Sequence, residues 1–542
     1  MQPSVIFQPS GKRIPVSAED TIWDLALEAG VDLVSTCGGK GTCGKCVVVP
    51  QPGRLDGQRG PQPEGAARDG GNGACLACQT RLPEGGTVWV PEQSRPDRQV
   101  ILTSGYQLVL SLNPRLRSFP VQVGPRACEA AASWEEALLE AVRPQAGDQV
   151  EVPLSVLQEL PRAISKAGGQ LTVTLCQDME IVGVRPGETG PCLGLAVDLG
   201  TTTVVALLLD LKTGKQLAVA SDVNPQVSWG DDVISRISCC AEGKEAGRAM
   251  ADLALECVNS LAEKACREAG ADLEDVYECT MVGNTAMHHI FLGLEAAGLA
   301  RAPYAPVTSR EVCLKAREIG LRLAPEAWAS WLPVKAGFVG ADIVAVLLAI
   351  GVEEYDQPTL IVDLGTNGEM VLAADGQLIC CSTAAGPAFE GGHIRWGMRL
   401  DPKTLDPQLQ VIGGGRPKGL CGSGLVSLVS QLVLNGVLTS SGAFDAGLET
   451  PRLRQGEDGG EFVLAFAEEA AHGTDIVLTA RDVASLQMAK AAIRAGSELL
   501  CRHMGLSRVE DVVLAGAFGN YLDPLEALQL GMFPEVQPAR IR

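Results

Sequence analysis

Two stretches of the chain share one arrangement of apolar and polar positions. In Gly194-Leu195-Ala196-Val197-Asp198-Leu199-Gly200-Thr201-Thr202-Thr203-Val204-Val205-Ala206-Leu207-Leu208-Leu209-Asp210, two short apolar runs flank a carboxylate and a Gly/Thr turn. Runs of this length, β-branched and bounded by turn residues, predict two strands buried on both faces and joined as a hairpin. The arrangement returns in Thr359-Leu360-Ile361-Val362-Asp363-Leu364-Gly365-Thr366-Asn367-Gly368-Glu369-Met370-Val371-Leu372-Ala373. Asp363 corresponds to Asp198, Gly365 to Gly200 and Thr366 to Thr201, about 165 residues apart, which indicates a duplicated unit.

Around these hairpins the same reading places the remaining elements. Residues 5–16 predict a hairpin and residues 17–29 an amphipathic helix, capped by Ser17 or Asp20 and ended by Gly30. Residues 51–72 are rich in Gly, Pro, Gln and Arg, a surface loop, and residues 87–90 form a strand. Residues 121–187 read as a small α/β domain with helices near 133–141 and 154–166 and a strand over 170–175, and no chemistry is visible in it. A strand over 216–220 and a helical region over 231–269 follow. The strand 276–282 then runs into Gly283-Asn284-Thr285, where a helix begins, and residues 337–342 open an apolar helix. His288 and His289 are expected to point to different faces of their helix, which argues against a shared metal site. Helices over 424–434, opened by Cys421-Gly422-Ser423, and over 482–503 precede a strand, residues 511–515, that enters the glycine turn Gly516-Ala517-Phe518-Gly519-Asn520.

The turns carry the candidate chemistry. Gly200 admits close backbone approach to a ligand, and Thr201, Thr202 and Thr203 offer amide and hydroxyl donors to anionic oxygens. Asp198, at a strand end, is placed to hold a hydrated Mg²⁺. A core hairpin with a polar turn explains either copy alone, but a duplicated phosphate hairpin can clamp a polyphosphate between two lobes. The turn at Asn284 is a second place for a ligand, and the turn at Gly516 leaves room for a purine against the backbone.

Charge and length narrow the class. The 542 residues exceed one hydrophobic core, so two to four domains are expected, and 46% hydrophobic residues indicate a folded chain. With the strands and helices placed above, the expectation is a multidomain α/β protein. With 44 Lys plus Arg against 65 Asp plus Glu, the formal charge of −21 repels nucleic acid and anionic membranes. No run of eighteen uncharged apolar residues occurs and residues 1–4 lack a basic region followed by a hydrophobic one, so a cytoplasmic protein is expected. Most of the 18 cysteines lie singly in apolar segments and read as reduced core thiols.

The N-terminal cysteines differ. Cys37, Cys43 and Cys46 stand in a glycine-rich loop with five and two intervening residues, and Cys78 follows farther on. Four thiolates with glycine amides aimed at sulfide suit a [2Fe–2S] cluster. A zinc ribbon is the alternative, because Cys43, Cys46, Cys75 and Cys78 form two CxxC pairs. Gly39 to Lys45 also fits GxxxxGK, but Cys46 stands where a P-loop needs Ser or Thr.

The cysteine loop and the Leu76-Ala77-Cys78-Gln79 stretch resemble β-grasp ferredoxins with C-x5-C-x2-C spacing. The turns DLGTTT, DLGTNGE and AGAFGN resemble, in that order, the phosphate-1, phosphate-2 and adenosine motifs of the ribonuclease-H-like superfamily of actin, Hsp70 and the acetate and sugar kinases. Together they resemble the reductive activators of corrinoid proteins over nearly the whole chain. That resemblance implies a ferredoxin domain over residues 1–92, a linker over 93–116, a small α/β domain over 117–188 and an ATPase domain over 189–542, with lobes at about 189–355 and 356–542. It implies Cys37, Cys43, Cys46 and Cys78 as cluster ligands, and Asp198 and Asp363 as the residues that position Mg²⁺ and water. Gly200, Thr201, Thr202, Thr203 and Asn284 would contact ATP in the first lobe, and Gly365, Thr366, Asn367, Gly368 and Glu369 in the second. Gly516, Ala517, Phe518, Gly519 and Asn520 would meet the adenosine. The implied activity is ATP-dependent one-electron reduction of a Co(II) corrinoid on a partner protein to Co(I). A plant-type cluster near about −400 mV is too weak a reductant for that step unaided, so ATP would drive it. No dinucleotide fingerprint follows a strand, so an external low-potential electron donor is expected, and a homodimer is compatible with the family. Activators of 2-hydroxyacyl-CoA dehydratases share the ATPase fold but ligate their cluster within it, unlike this chain. Two other classes remain open: a kinase or chaperone-like ATPase with a structural or regulatory cluster, and an electron-transfer protein whose C-terminal part is a scaffold.

Overall fold

Strand β1 (Ser4–Gln8) pairs antiparallel with β2 (Arg13–Pro15) and parallel with β5 (Gly86–Trp89). Beyond β5 lie β3 (Val47–Pro50) and β4 (Cys75–Leu76), giving a five-stranded sheet in the order β2-β1-β5-β3-β4. This computed structural model describes all residues except 1–2, 9, 17–19, 32, 34–38, 40, 42–43, 51–73, 84, 92–93, 95–111, 124–132, 189, 231, 366, 384–398, 410, 412–414, 446, 457–458 and 520–521. The helix Ile22–Glu28 buries Ile22, Trp23, Leu25 and Ala26 against the sheet's core. Its N-cap is Thr21, with Asp24 completing a capping box, rather than Asp20; Ser17 lies outside the described residues. Tertiary pairing sets this start, because Thr21 bridges to Arg81 and the Ile22 amide donates to Thr80 O at 2.8 Å.

The next sheet contains β6 (Leu116–Gln122), β7 (Gln170–Cys176) and β8 (Glu180–Pro186), all antiparallel, with helices Trp134–Ala146 and Leu154–Ala167 beside it. The strand β8 has no counterpart among the sequence expectations. The apolar core of the following sheet takes in Leu116, Cys176 and Val182 from this one. Around that junction Lys315 Nζ reaches Glu180 Oε1 at 2.7 Å and Glu326 Oε2 at 3.3 Å, and sits 4.1 Å from the centre of the Trp328 ring.

Two further sheets display the duplication. The first runs β11-β10-β9-β12-β14-β13, from β9 (Leu193–Leu199), β10 (Thr203–Asp210), β11 (Gln216–Val223), β12 (Val276–Val282), β13 (Val312–Lys315) and β14 (Trp328–Trp331). The second runs β17-β16-β15-β23, from β15 (Thr359–Leu364), β16 (Gly368–Ala374), β17 (Gln377–Thr383) and β23 (Asp511–Ala515). In each, the first strand pairs antiparallel with the second and parallel with the fourth, and the second pairs antiparallel with the third. A long helix crosses the second and third strands in both, Lys244–Ala269 over β10 and β11 and Ala480–His503 over β16 and β17. The predicted helical region over 231–269 is two helices, Val233–Glu242 and Lys244–Ala269. Between β17 and β23 lie a two-stranded ribbon, β18 (Arg399–Leu400) with β19 (Pro407–Gln408), and the helix Gly422–Leu434. A small sheet, β20 (Leu453–Gly456), β21 (Gly459–Ala465) and β22 (Ile476–Thr479), follows that helix. The chain divides into two compact units, Met1–Val344 and Ala345–Arg542.

Candidate functional site

The ferredoxin-like sheet brings two thiols together through strand register. Val47 of β3 faces Leu76 of β4, and the Ala77 amide donates to Cys46 O at 2.8 Å. The single turn of 3-10 helix Ala77–Gln79 then swings Cys78 back, so that Cys46 Sγ and Cys78 Sγ lie 3.3 Å apart. That is too far for a disulfide at about 2.0 Å. Two thiolates on one tetrahedral metal, each at about 2.3 Å, lie about 3.8 Å apart, so the pair fits a shared metal with half an ångström of adjustment. Cys75 instead packs in the core, and burial pushes its thiol up against an opposing hydrogen bond with Thr80. The neighbouring loop is shaped for close packing: Gly39, Gly41 and Gly44 all have positive φ. A Cβ on Gly39 would lie 2.6 Å from Trp23 Nε1, and one on Gly41 would strike the Gln79 amide. Cys37 and Cys43 lie outside the described residues.

In the first unit Asp198 is the penultimate residue of β9, opposite Val205 of β10 and Val282 of β12. Beyond it the chain turns through 200–203, closed by Gly200 N–H donating to Thr203 O at 2.9 Å. The turn carbonyls are held from behind. Asn224 Nδ2 donates to Gly200 O at 2.8 Å, Arg236 Nη2 to Thr201 O at 2.6 Å and the Asn224 amide to Thr202 O at 2.8 Å. Asn284 caps the helix Thr285–Phe291 through Met287 N and donates to Thr201 Oγ1 at 2.9 Å, tying the second predicted ligand turn to the first. Gly283 makes this possible: with φ +155° its missing Cβ would stand 2.5 Å from Leu199 O.

A further carboxylate enters that sequence reasoning missed. The amides of Ala341 and Asp342 donate to Gly283 O at 2.9 and 3.4 Å, and this anchors the helix Ala341–Ile350 with Asp342 in its first turn. Solvent reaches the Asp198 carboxylate, yet protein crowds its other sides. This loss of hydration, with Asp342 second, pushes it up to about 7. Burial raises Asp342 itself to about 6 against opposing backbone hydrogen bonds. Two carboxylates that each resist ionisation form a donor set suited to a hard divalent cation such as Mg²⁺.

His288 and His289 lie in the adjacent helix and correct the expectation that they diverge. Both are fully buried, and their Nδ1 atoms are 3.2 Å apart. His289 bridges Thr285 O at 2.8 Å and the Val307 amide at 2.8 Å, and burial lowers His288 to about 4, so both rings are neutral packing groups.

The second unit repeats the strand end. Asp363 is penultimate in β15, opposite Glu369 of β16 and Ala515 of β23. Its turn is a residue shorter: Leu364 pairs with Gly368, where Leu199 pairs with Val204, and Gly365 N–H donates to Asn367 O at 3.0 Å. Glu369 is buried and accepts from Ser382 Oγ at 3.3 Å. Gly516 matches Gly283 at the end of the fourth strand; with φ +84° its missing Cβ would collide with Asp363 Oδ1 and stand 2.8 Å from Leu364 O. Gly516–Gly519 makes one helical turn, with Gly519 closed against Leu514. Thr366 and Asn520 lie outside the described residues, and only the backbone of Ala517 and Phe518 is described.

A ferredoxin-type thiolate loop on the same chain as a duplicated strand-turn-strand sheet, with a carboxylate at each turn, defines an iron–sulfur protein joined to an ATPase of the actin, Hsp70 and sugar kinase fold. Family comparisons agree in each part. Residues 5–83 match the 2Fe-2S iron-sulfur cluster binding domain, 107–190 the RACo linker region, 193–355 the RACo middle region and 357–542 the C-terminal domain of RACo, the ASKHA domain. The corrinoid activation enzyme RamQ of Eubacterium limosum is 30% identical over 557 residues, which cover 99% of this chain and 90% of that protein. The [Co(II) methylated amine-specific corrinoid protein] reductase of Methanosarcina barkeri is 24% identical over 382 residues, 63% of this chain and 66% of that protein. A solved structure described as a reductive activator for corrinoid, iron-sulfur protein is 30% identical with a TM-score of 0.72, covering 100% of this chain and 90% of that one. The chain belongs to this family, the reductive activators of corrinoid proteins.

Proposed function

We infer that this chain is an ATP-hydrolysing iron–sulfur oxidoreductase that returns the Co(II) corrinoid of a partner protein to Co(I), one electron per event. The observation that carries the reading is the presence on one chain of the Cys46–Cys78 thiolate pair and the duplicated Asp198/Asp363 strand ends. The likeness to corrinoid activators along the full chain supports it. When bound, the [2Fe–2S] cluster supplies a one-electron carrier and MgATP the free energy for a thermodynamically uphill transfer.

The chain's own groups have separable tasks. Cys46 and Cys78 hold one side of the cluster, with Cys37 and Cys43 the other two ligands. Asp198, with Asp342, and Asp363 orient Mg²⁺ and the attacking water, and raised carboxyl pKa values suit groups that await a cation. The turns at Gly200–Thr203 and Gly365–Glu369 present donors to phosphate oxygens, and the turn from Gly516 to Asn520 offers its backbone to the adenosine. The partner is a corrinoid protein of a methyl-transfer system, such as one serving O-demethylation, and the electron comes from an external low-potential donor. Among the described residues no helix is long and apolar enough to cross a membrane, and buried cysteine thiols suit a reducing cytoplasm. A homodimer is the assembly we propose.

The deciding experiment mixes reduced protein with Co(II) corrinoid proteins, with and without MgATP, and follows Co(I) absorption. ATP-dependent Co(I) formation supports the reading; ATP-independent reduction, or phosphorylation of a small molecule instead, overturns it.

A further inference from the structure

Behind the first phosphate turn lies a set of fully buried polar side chains that the cluster and cation sites do not use: Asn224, Gln226 and Arg236. A buried guanidinium or amide is costly unless its donors are satisfied, so where those donors go is informative. Arg236 sends Nε to Gly230 O at 2.8 Å, Nη1 to Gln226 Oε1 at 3.2 Å and Nη2 to Thr201 O at 2.6 Å. Gln226 is fixed in turn by donating to Met250 O at 2.9 Å. Asn224 clasps Gly200 O with its side chain and Thr202 O with its amide, both at 2.8 Å.

Three consecutive carbonyls of one turn are therefore drawn to the same side. In a trans peptide the C=O of one residue and the N–H of the next point in opposite directions. Pinning the carbonyls of Gly200, Thr201 and Thr202 inward thus aims the N–H groups of Thr201, Thr202 and Thr203 outward, away from Asn224 and Arg236. A run of amides facing one way is an anion-binding concavity.

We propose that Asn224 and Arg236 are positioning residues that fix the turn at residues 200–203 with its amides toward the nucleotide phosphates. The proposal rests on the reading that this turn holds those phosphates. Neither residue touches the nucleotide; each acts through a backbone carbonyl. Their loss should weaken polyphosphate binding while leaving recognition of the base and ribose intact.

The test uses the full-length, cluster-loaded protein and two probes, MgATP and adenosine. Asn224→Asp keeps the side-chain shape but removes the donor to Gly200 O, and Arg236→Lys keeps the charge but loses the fork. Each variant should bind MgATP about tenfold or more weakly, with KM raised more than kcat is lowered, while adenosine affinity and the visible spectrum of the cluster stay at wild-type values. If Arg236→Lys does not fold, Asn224→Asp and Asn224→Ser, which leave Arg236 in place, still decide. Asp198→Asn tests the underlying reading separately. If Asp198→Asn weakens MgATP while the Asn224 and Arg236 variants bind it like wild type, or lose MgATP and adenosine equally, the positioning role is wrong and the site stands. If Asp198→Asn leaves MgATP binding and hydrolysis unchanged, the phosphate site is elsewhere and both fail.

Discussion

Cys46 and Cys78, 32 residues apart in sequence, meet with their sulfurs 3.3 Å apart because β3 and β4 pair in one register. Cys75, in β4 itself, faces the core. Cys78→Ser should therefore abolish the [2Fe–2S] absorption and iron content, whereas Cys75→Ala should retain both. A colourless protein containing zinc in place of iron, or cluster loss in Cys75→Ala, would rule out this ligand set.

The paired acids near the first turn predict a pH effect with a definite sign. Both carboxyls titrate above the ordinary 3.8, Asp342 at about 6 and Asp198 at about 7. The folded state then binds protons more tightly than the unfolded one. The associated stability is fully present below about pH 3.8 and is lost as pH rises through 6 to 7. In nucleotide-free protein without divalent cations, Asp342→Asn should melt increasingly above wild type between pH 5 and pH 8, by about a few degrees at the upper end. Added Mg²⁺ should narrow the gap at pH 8 more than at pH 5. A gap independent of pH and Mg²⁺ would separate these two carboxyls from any cation.

Gly516 makes a parallel prediction for the second unit. Its φ of +84° and the closeness of Leu364 O exclude a side chain without movement at Asp363. Gly516→Ala should cost about 1–3 kcal/mol in stability. It should also reduce ATP hydrolysis severely while leaving the cluster spectrum unchanged; wild-type turnover in this variant would show that Asp363 has no part in hydrolysis.

Lys315 is 8% exposed and lies between Glu180 and Glu326. Lys315→Met would leave Glu180 without its cation at the junction between β8 and the first duplicated sheet, while Glu326 keeps Arg317 and Ser155. The expected loss is about 3–5 kcal/mol, seen as a lower melting temperature that Glu180→Gln in the same chain partly restores. An unchanged melting temperature would make the contact a surface ion pair of little consequence.

The strand-turn-strand units around Asp198 and Asp363 were legible because both properties that define them are local: apolar runs of strand length, and a turn whose composition breaks them. The cysteine loop was legible for a similar reason, its spacing. Asn224, Arg236 and Asp342 were not, because each acts on a turn reached only through the fold. No periodicity connects Asp342 to Asp198, and an arginine in an amphipathic helix ordinarily faces water. Short strands also escaped: β13, β14, β20 and β22 carry too few alternating positions to stand out from loop. The neighbouring histidines misled because helical geometry separates Cβ directions by about 100° per residue but does not stop two rings from turning back toward each other.

The regions by which this family is described change between residues 190 and 193. The packing does not respect that seam: Leu116, Cys176 and Val182 on one side share a core with Cys192, Leu193 and Leu195 on the other. Gly183 is pressed so closely on Tyr277 that a Cβ there would stand 2.5 Å from the ring. The family boundary thus runs through one apolar core. A gene fragment beginning at residue 192 would bare the apolar surface that Leu116, Cys176 and Val182 cover.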